Sequence, residues 1–241
     1  MEKIKHLVKG EFTRLAKYNL FTASFAVALI WIVMGYFLEP EEFNLFIPLV
    51  FLMESSAMTA LLVGAQMFYE KKEHTISSIL ISPISSLDYI ISKILTHTVN
   101  ILIIFFVIVG SLFFLKDMTF NYVPLLIATV LVTAFYVAIG LLLSYVSRDF
   151  TALLLNYMLM MIVFVFPSLL IMMGVFPAEW KDVLYYLPTE ATIRLMNMAV
   201  EEVKWGQFFY DSAYIIVLIY VSFRYLVIPR FKSYATANLG V

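Results

Sequence analysis

The residues of this chain that could do chemistry are few, and most are ionisable groups set in apolar sequence. Glu54 interrupts a run from Phe43 to Tyr69 that otherwise carries no charge. In a hydrocarbon environment such a group costs about 2.5–3.5 kcal/mol even on lenient insertion scales, so it faces other helices. There it serves either as a neutral hydrogen-bonding group or as a charge on a transport path. His97 lies near the start of another apolar run, Ile94 to Leu115, and reads as a polar contact between helices or as part of the same path. His6 and His74 are too scattered to build a metal site with it. The chain has no cysteine, which removes disulfides, thiolate ligands and cysteine nucleophiles. No H-E-x-x-H pair, nucleophile-elbow serine or pair of intramembrane aspartates is present, so no catalytic residue and no metal are expected. A G-x-x-x-x-G-K-[ST] phosphate loop is also missing, so the chain holds no nucleotide of its own.

The densest polar interval, residues 69–95, reads YEKKEHTISSILISPISSLDYIISKIL. Glu70, Lys71, Lys72 and Glu73 bring charge just as an apolar run stops. Thr75 leads a short amphipathic helix, placed at about 74–82, with Ile76, Ile79 and Leu80 on one face and Ser82-Pro83 as its stop. Ser85-x-x-Asp88 is then a second start signal, opening the next apolar run. A compact knuckle with one apolar face suits docking on a soluble partner; anchoring on the membrane surface is the plainer alternative.

What must position these residues is a set of membrane helices. The chain is 63% hydrophobic and 14% charged, against about 25% charged in soluble domains, and contains 22 Phe and 15 Tyr. A water-soluble core of this size could not hide that surface. Charge-free stretches place six spans at about 18–38, 44–69, 92–115, 121–147, 150–175 and 207–228, each long enough to cross about 30 Å at 1.5 Å per residue. With both termini inside, the outer segments hold only Lys116, Lys181, Arg194 and Lys204, and the other twelve of the 16 basic residues lie inside. The fold expected is an all-α polytopic membrane protein forming one domain over 1–241, in the cell membrane.

Two further helices are expected outside the spans. Ile4, Leu7, Val8, Phe12 and Leu15 share a face between Lys5, Lys9, Arg14 and Lys17, the pattern of an interfacial helix held by anionic headgroups. Glu11 falls within its apolar face and breaks the pattern. Thr189 to Val203 sets Ile193, Met196, Val200 and Val203 at helical spacing among aromatic residues, which reads as a helix on or dipping into the outer leaflet. Ser56, Ala60 and Gly64 recur at every fourth residue, a small-residue stripe for internal packing or a dimer contact. Met158, Met161 and Met172 could line a soft surface for apolar substrates, or simply pack.

The loop Glu70-x-x-x-x-Thr75, with Leu80-x-Ser82-Pro83 and Tyr89-x-x-x-Lys93, resembles the pattern of type-2 ABC-transporter permeases, the small six-span exporter permeases. The similarity covers essentially the whole chain, although His74 stands where glycine is common and Ser78 where an acidic residue is common. The resemblance implies a coupling helix seated in a groove of a separate ATP-binding subunit, with Glu70, Glu73, Thr75, Ile76, Ile79, Leu80, Ser82 and Pro83 as the coupling residues. It implies that ATP and Mg bind that partner and no cofactor binds this chain, which is itself no enzyme. A second permease copy or paralogue is implied, and no nucleic acid. The cargo expected is amphiphilic or hydrophobic: a drug, an antibiotic or a lipid-like molecule. The alternatives are a polysaccharide or ion as cargo, or an ion-coupled carrier or channel built on Glu54.

Overall fold

The computed structural model describes residues 2–80, 82–167, 170, 175, 177 and 179–236, apart from the side chains of Ser77, Leu80 and Lys181. Every regular element among the described residues is helical. In chain order these are α1 (Glu2–Lys17), α2 (Leu20–Phe37), α3 (Pro40–Asn44), α4 (Ile47–Lys72), α5 (Thr75–Leu80) and α6 (Ser86–Lys116). There follow α7 (Tyr122–Val146), α8 (Phe150–Phe164), α9 (Trp180–Leu184), α10 (Pro188–Asn197) and α11 (Trp205–Thr236). Five of them, α2, α4, α6, α7 and α11, are long and apolar enough to cross a membrane. The expected fifth span, 150–175, begins as α8, which is apolar but 15 residues long; part of its remainder lies outside the described residues.

Local chemistry accounts for the boundaries. Ser85 and Asp88 form the reciprocal cap anticipated for α6: Ser85 Oγ accepts from the Asp88 amide and the Ser85 amide donates to the Asp88 carboxylate, each at 3.1 Å. Asp149 caps α8 by accepting from the Ala152 amide at 2.7 Å. Asn19, at φ 57°, turns the chain from α1 into α2. Two long helices contain a π turn, each with a cause. In α4 it spans Glu54–Met58, where the Ser55 and Ser56 hydroxyls donate to the Phe51 and Leu52 carbonyls and compete for the backbone ladder. In α11 it spans Ser222–Val227, just before Pro229, which has no amide proton to give and whose ring crowds the preceding turn.

Helices α4 and α7 form the centre. In their apolar stretches 67% and 61% of residues are buried, against 22% in α2 and 28% in α11, whose bare faces suit lipid. Close approach at the centre requires small residues. A Cβ on Gly140 of α7 would lie 2.7 Å from the Ala60 carbonyl oxygen, and one on Gly64 would collide with a Leu153 methyl of α8. The Ala60–Gly64 stripe is therefore spent on packing within the chain.

The two helices outside the spans both use protein contacts. α1 lays the C-terminal end of its apolar face on protein: Leu15 is buried with Leu20, Leu62 and Ala65, while Ile4, Leu7, Val8 and Phe12 are half-buried and Lys3, Lys5 and Lys9 point outward. α10 is sunk into the bundle, with Ala191, Leu195 and Met196 fully buried against α4, α7 and α11. Of the apolar line read from the sequence, Met196 is fully buried and Ile193 half-buried, but the helix ends at Asn197 and leaves Val200 exposed.

Candidate functional site

The most concentrated polar chemistry in the molecule lies at the base of the α5 knuckle. Glu70, on the last turn of α4, is fully buried. Tyr89 and Lys93 are one turn apart on α6, so they face the same way, and both donate to the Glu70 carboxylate. α1 supplies the rest of the cluster. Lys93 Nζ also donates to Glu11 at 2.6 Å, while Arg14 donates through Nε to Glu70 at 2.9 Å and through a terminal nitrogen to Glu11 at 2.5 Å. Gln66 Nε2 donates to Glu11 at 2.6 Å, and its amide oxygen accepts from His97 Nε2 at 3.1 Å. Two carboxylates and two cations thus close a charge-balanced lock that joins α1, α4 and α6, with Glu11, Glu70 and Lys93 fully buried and Arg14 partly exposed at its edge.

Glu11, the residue that breaks the apolar face of α1, is at the middle of this lock. Burial raises its pKa above the ordinary carboxylate range, against the opposite pull of Lys93 and Arg14. Burial works against the Arg14 charge as well, yet Glu11 and Glu70 hold that guanidinium above its usual range. An outer rim repeats the link at the surface: Glu73 accepts from Lys17 Nζ at 2.7 Å and from the Tyr18 hydroxyl at 2.8 Å, and these bonds keep its carboxyl below the usual range. Tyr18 also stacks on Tyr69 with ring centroids 4.7 Å apart. Of the lock's members Glu70, Tyr89 and Lys93 are legible in the loop motif. Nothing in the sequence pattern marks Arg14 or Gln66 as members, and the only signal for Glu11 is a charge where an apolar residue belongs.

The knuckle's exposure differs from the expectation at three of the coupling residues: Glu70 is fully buried in the lock, and Ile76 and Ile79 are buried too. Ile76 and Ile79 are 2% and 8% exposed, buried among Met67, Tyr89, Phe231 and Tyr234 of the same chain, so they cannot be the surface offered outward. The reason is proximity: the C-terminal turns of α11 supply apolar partners that the loop sequence does not reveal. The Leu80 side chain lies outside the described residues. Lys72, Glu73, His74, Ser78 and Pro83 are exposed, Thr75 is half-buried, and Ser82 Oγ donates to the Ile79 carbonyl at 2.8 Å to end the helix. His74 has φ 56°, a left-handed conformation that glycine adopts without the Cβ penalty. His74→Gly is accordingly expected to raise stability by up to about 1 kcal/mol, read as a higher melting temperature in detergent. A lower one would mean that the imidazole makes a contact the loop needs.

The intramembrane residues fall in separate places. Glu54 is 1% exposed and accepts from the Trp31 indole at 3.0 Å; its second oxygen has no partner among the described residues. His97 belongs to the lock through Gln66. Ser56 and Met161 line a cleft of about 310 Å³ between α4, α7, α8 and α10, with Leu49, Leu52, Tyr136 and Met196 among its other walls and no Asp, Glu, Lys, Arg or His in its lining. Met158 points outward, 58% exposed, and Met172 lies outside the described residues. At the opposite end, Asp211 accepts two bonds from Arg194, at 2.7 and 3.1 Å, and one from Gln207 at 2.9 Å, tying α10 to α11.

A bundle of long apolar helices, with no metal-ligand cluster among the described residues and a charge-braced knuckle at one end, defines a multi-pass membrane protein built around a loop. Residues 31–228 match the model of the ABC-2 family transporter proteins, and the chain belongs to that family: it is an ABC-2 type permease. It is similar to a fluoroquinolones export permease protein of Mycobacterium tuberculosis, from strain CDC 1551 / Oshkosh and from strain ATCC 25618 / H37Rv. To each it is 24% identical over 204 residues, which cover 85% of this chain and 84% of the relative. Permeases of this family are the transmembrane components of ABC transporters and are generally non-catalytic.

Proposed function

We propose that this chain is the membrane subunit of an ABC exporter, with six spans and both termini in the cytoplasm. It moves an amphiphilic or hydrophobic substrate out of the cell, using ATP hydrolysed by a separate ATP-binding subunit that docks on the α5 knuckle. A second permease copy or paralogue completes the pathway. The observation that carries this reading is the four-charge lock beneath the knuckle, three of whose charges are fully buried. A loop with no partner to push on it has no need of a base braced by ions at the cost of desolvating three of them and much of the fourth. The family match supports the ABC assignment, and the relative's name supports a drug-like cargo. The apolar cleft beside α10, with no Asp, Glu, Lys, Arg or His in its lining, suits such a cargo.

Two measurements test it. The natural absence of cysteine allows single cysteines at the exposed positions Ser78, Glu202 and Ser233, expected to react with an impermeant thiol reagent from inside, outside and inside respectively. Outside labelling at Ser78 would overturn both topology and docking. Everted vesicles containing the permease and its ATP-binding partner are expected to accumulate a fluorescent fluoroquinolone on addition of ATP. No ATP-dependent uptake of that probe or of other amphiphilic drugs would remove the cargo assignment.

Glu54 has its own test. As a neutral acceptor for Trp31 it is replaceable by glutamine, so Glu54→Gln is expected to export nearly normally. Glu54→Ala strands the indole N–H and loses about 1 kcal/mol of stability. A Glu54→Gln permease that assembles with its partner yet exports nothing would place an ionised Glu54 on the transport path instead.

A further inference from the structure

We propose that the C-terminal turns of α11 are the seat of the knuckle, with Phe231 and Tyr234 as positioning residues that make α5 and the end of the last membrane helix move as one body. The proposal rests on the reading of α5 as the element pushed by an ATP-binding partner. A helix of six residues does not hold itself together in water, so its position is set by what it packs on. Its base is held by the ion lock to α1. Its apolar side is held by α11. Val227, Phe231, Tyr234 and Ala235 recur at helical spacing and form one inward face, and Phe231 and Ala235 are fully buried in the same cluster as Ile76 and Ile79.

The two aromatic residues reach further than the knuckle. Phe231 packs on Tyr89 at 5.1 Å between ring centroids, which connects the seat to the residue that donates to Glu70. Tyr234 packs on Tyr145, in the last turn of α7, at 4.7 Å, and the Lys71 ammonium of α4 lies 5.5 Å over its ring. The seat therefore gathers the same-side ends of α4, α6 and α7 around α5. The π turn Ser222–Val227 ends where the seat begins and separates it from the α-helical stretch Trp205–Val221. Interrupted backbone ladders are where helices bend, so a displacement of the knuckle carries the seat with it about this turn.

The test uses the permease with its ATP-binding partner in proteoliposomes and reads permease-dependent ATP turnover, which requires no known cargo. In the cysteine-free chain, Ile79→Cys with Ala235→Cys is oxidised to tie knuckle and seat. Since the two move together, turnover with the tie is expected to stay within about twofold of the reduced protein. The double variant Phe231→Ala, Tyr234→Ala is expected to keep the partner bound in a pull-down but to lose at least about tenfold in turnover, while Tyr234→Phe keeps it. A tenfold fall on forming the tie with the partner still bound, or normal turnover in the double alanine variant, overturns the seat alone. The tie decides the matter even where the double alanine variant fails to insert. If no ATP-binding partner co-purifies with the unaltered chain, the docking reading falls and the seat's role falls with it.

Discussion

Lys93→Met is expected to be the most damaging single substitution in this chain. The ammonium is fully buried and donates to both Glu11 and Glu70, themselves fully buried. Methionine fills similar space but leaves two carboxylates to share the one remaining cation, Arg14. Breaking a buried ion pair from one side costs about 3–5 kcal/mol, a large part of the roughly 5–15 kcal/mol that typically holds a domain together. The melting temperature in detergent and the yield of monodisperse protein should both fall sharply. Adding Glu11→Gln to Lys93→Met removes one uncompensated charge while keeping a polar partner for Gln66, so the pair should melt higher than Lys93→Met alone. A single Lys93→Met variant that melts like the parent would mean that the lock contributes nothing.

The second large effect is steric and lies at the centre of the bundle. At Gly140 even a single methyl would meet the Ala60 carbonyl oxygen at 2.7 Å and Val63 Cβ at 2.9 Å, and two of its three nearest neighbours are backbone atoms of α4. Backbone cannot rotate aside as a side chain does. Gly140→Val should therefore force α7 away from α4 at a cost of about 1–3 kcal/mol or more. Gly110→Ala, inside α6, is the control, since nothing lies within 4 Å of the added carbon; it should leave the melting temperature unchanged or slightly raised, because alanine suits a helix interior better than glycine. Equal behaviour of the two variants would show that α4 and α7 do not meet where the structure puts them.

The contrast between these sites shows what could be read from the chain alone. The apolar runs, the cap at Ser85, the stop at Ser82-Pro83 and the loop motif follow from composition and from interactions a few residues long, so they are legible without any fold. Five of the six expected spans appear as helices long enough to cross a membrane, because hydrocarbon thickness and backbone hydrogen bonding leave an apolar segment few other choices. The residues of the loop pattern are legible as well, but their partners are not. Glu11 looks like a flaw in an amphipathic helix, and becomes the centre of a lock once α1 lies across α6 and brings it to Lys93. Ile76 and Ile79 look like a surface offered to another protein, and become core once the last turns of α11 cover them. The inward face of α10 keeps Met196 from its helical wheel but adds Ala191 and Leu195 for the same kind of reason, since its burial depends on α4, α7 and α11. A helical wheel reports which side of a segment is apolar; whether that side meets lipid, a partner or the chain's own far end depends on contacts between segments as distant as Thr75–Leu80 and Ile228–Thr236. Those contacts are fixed by packing, and only the tertiary structure decided them.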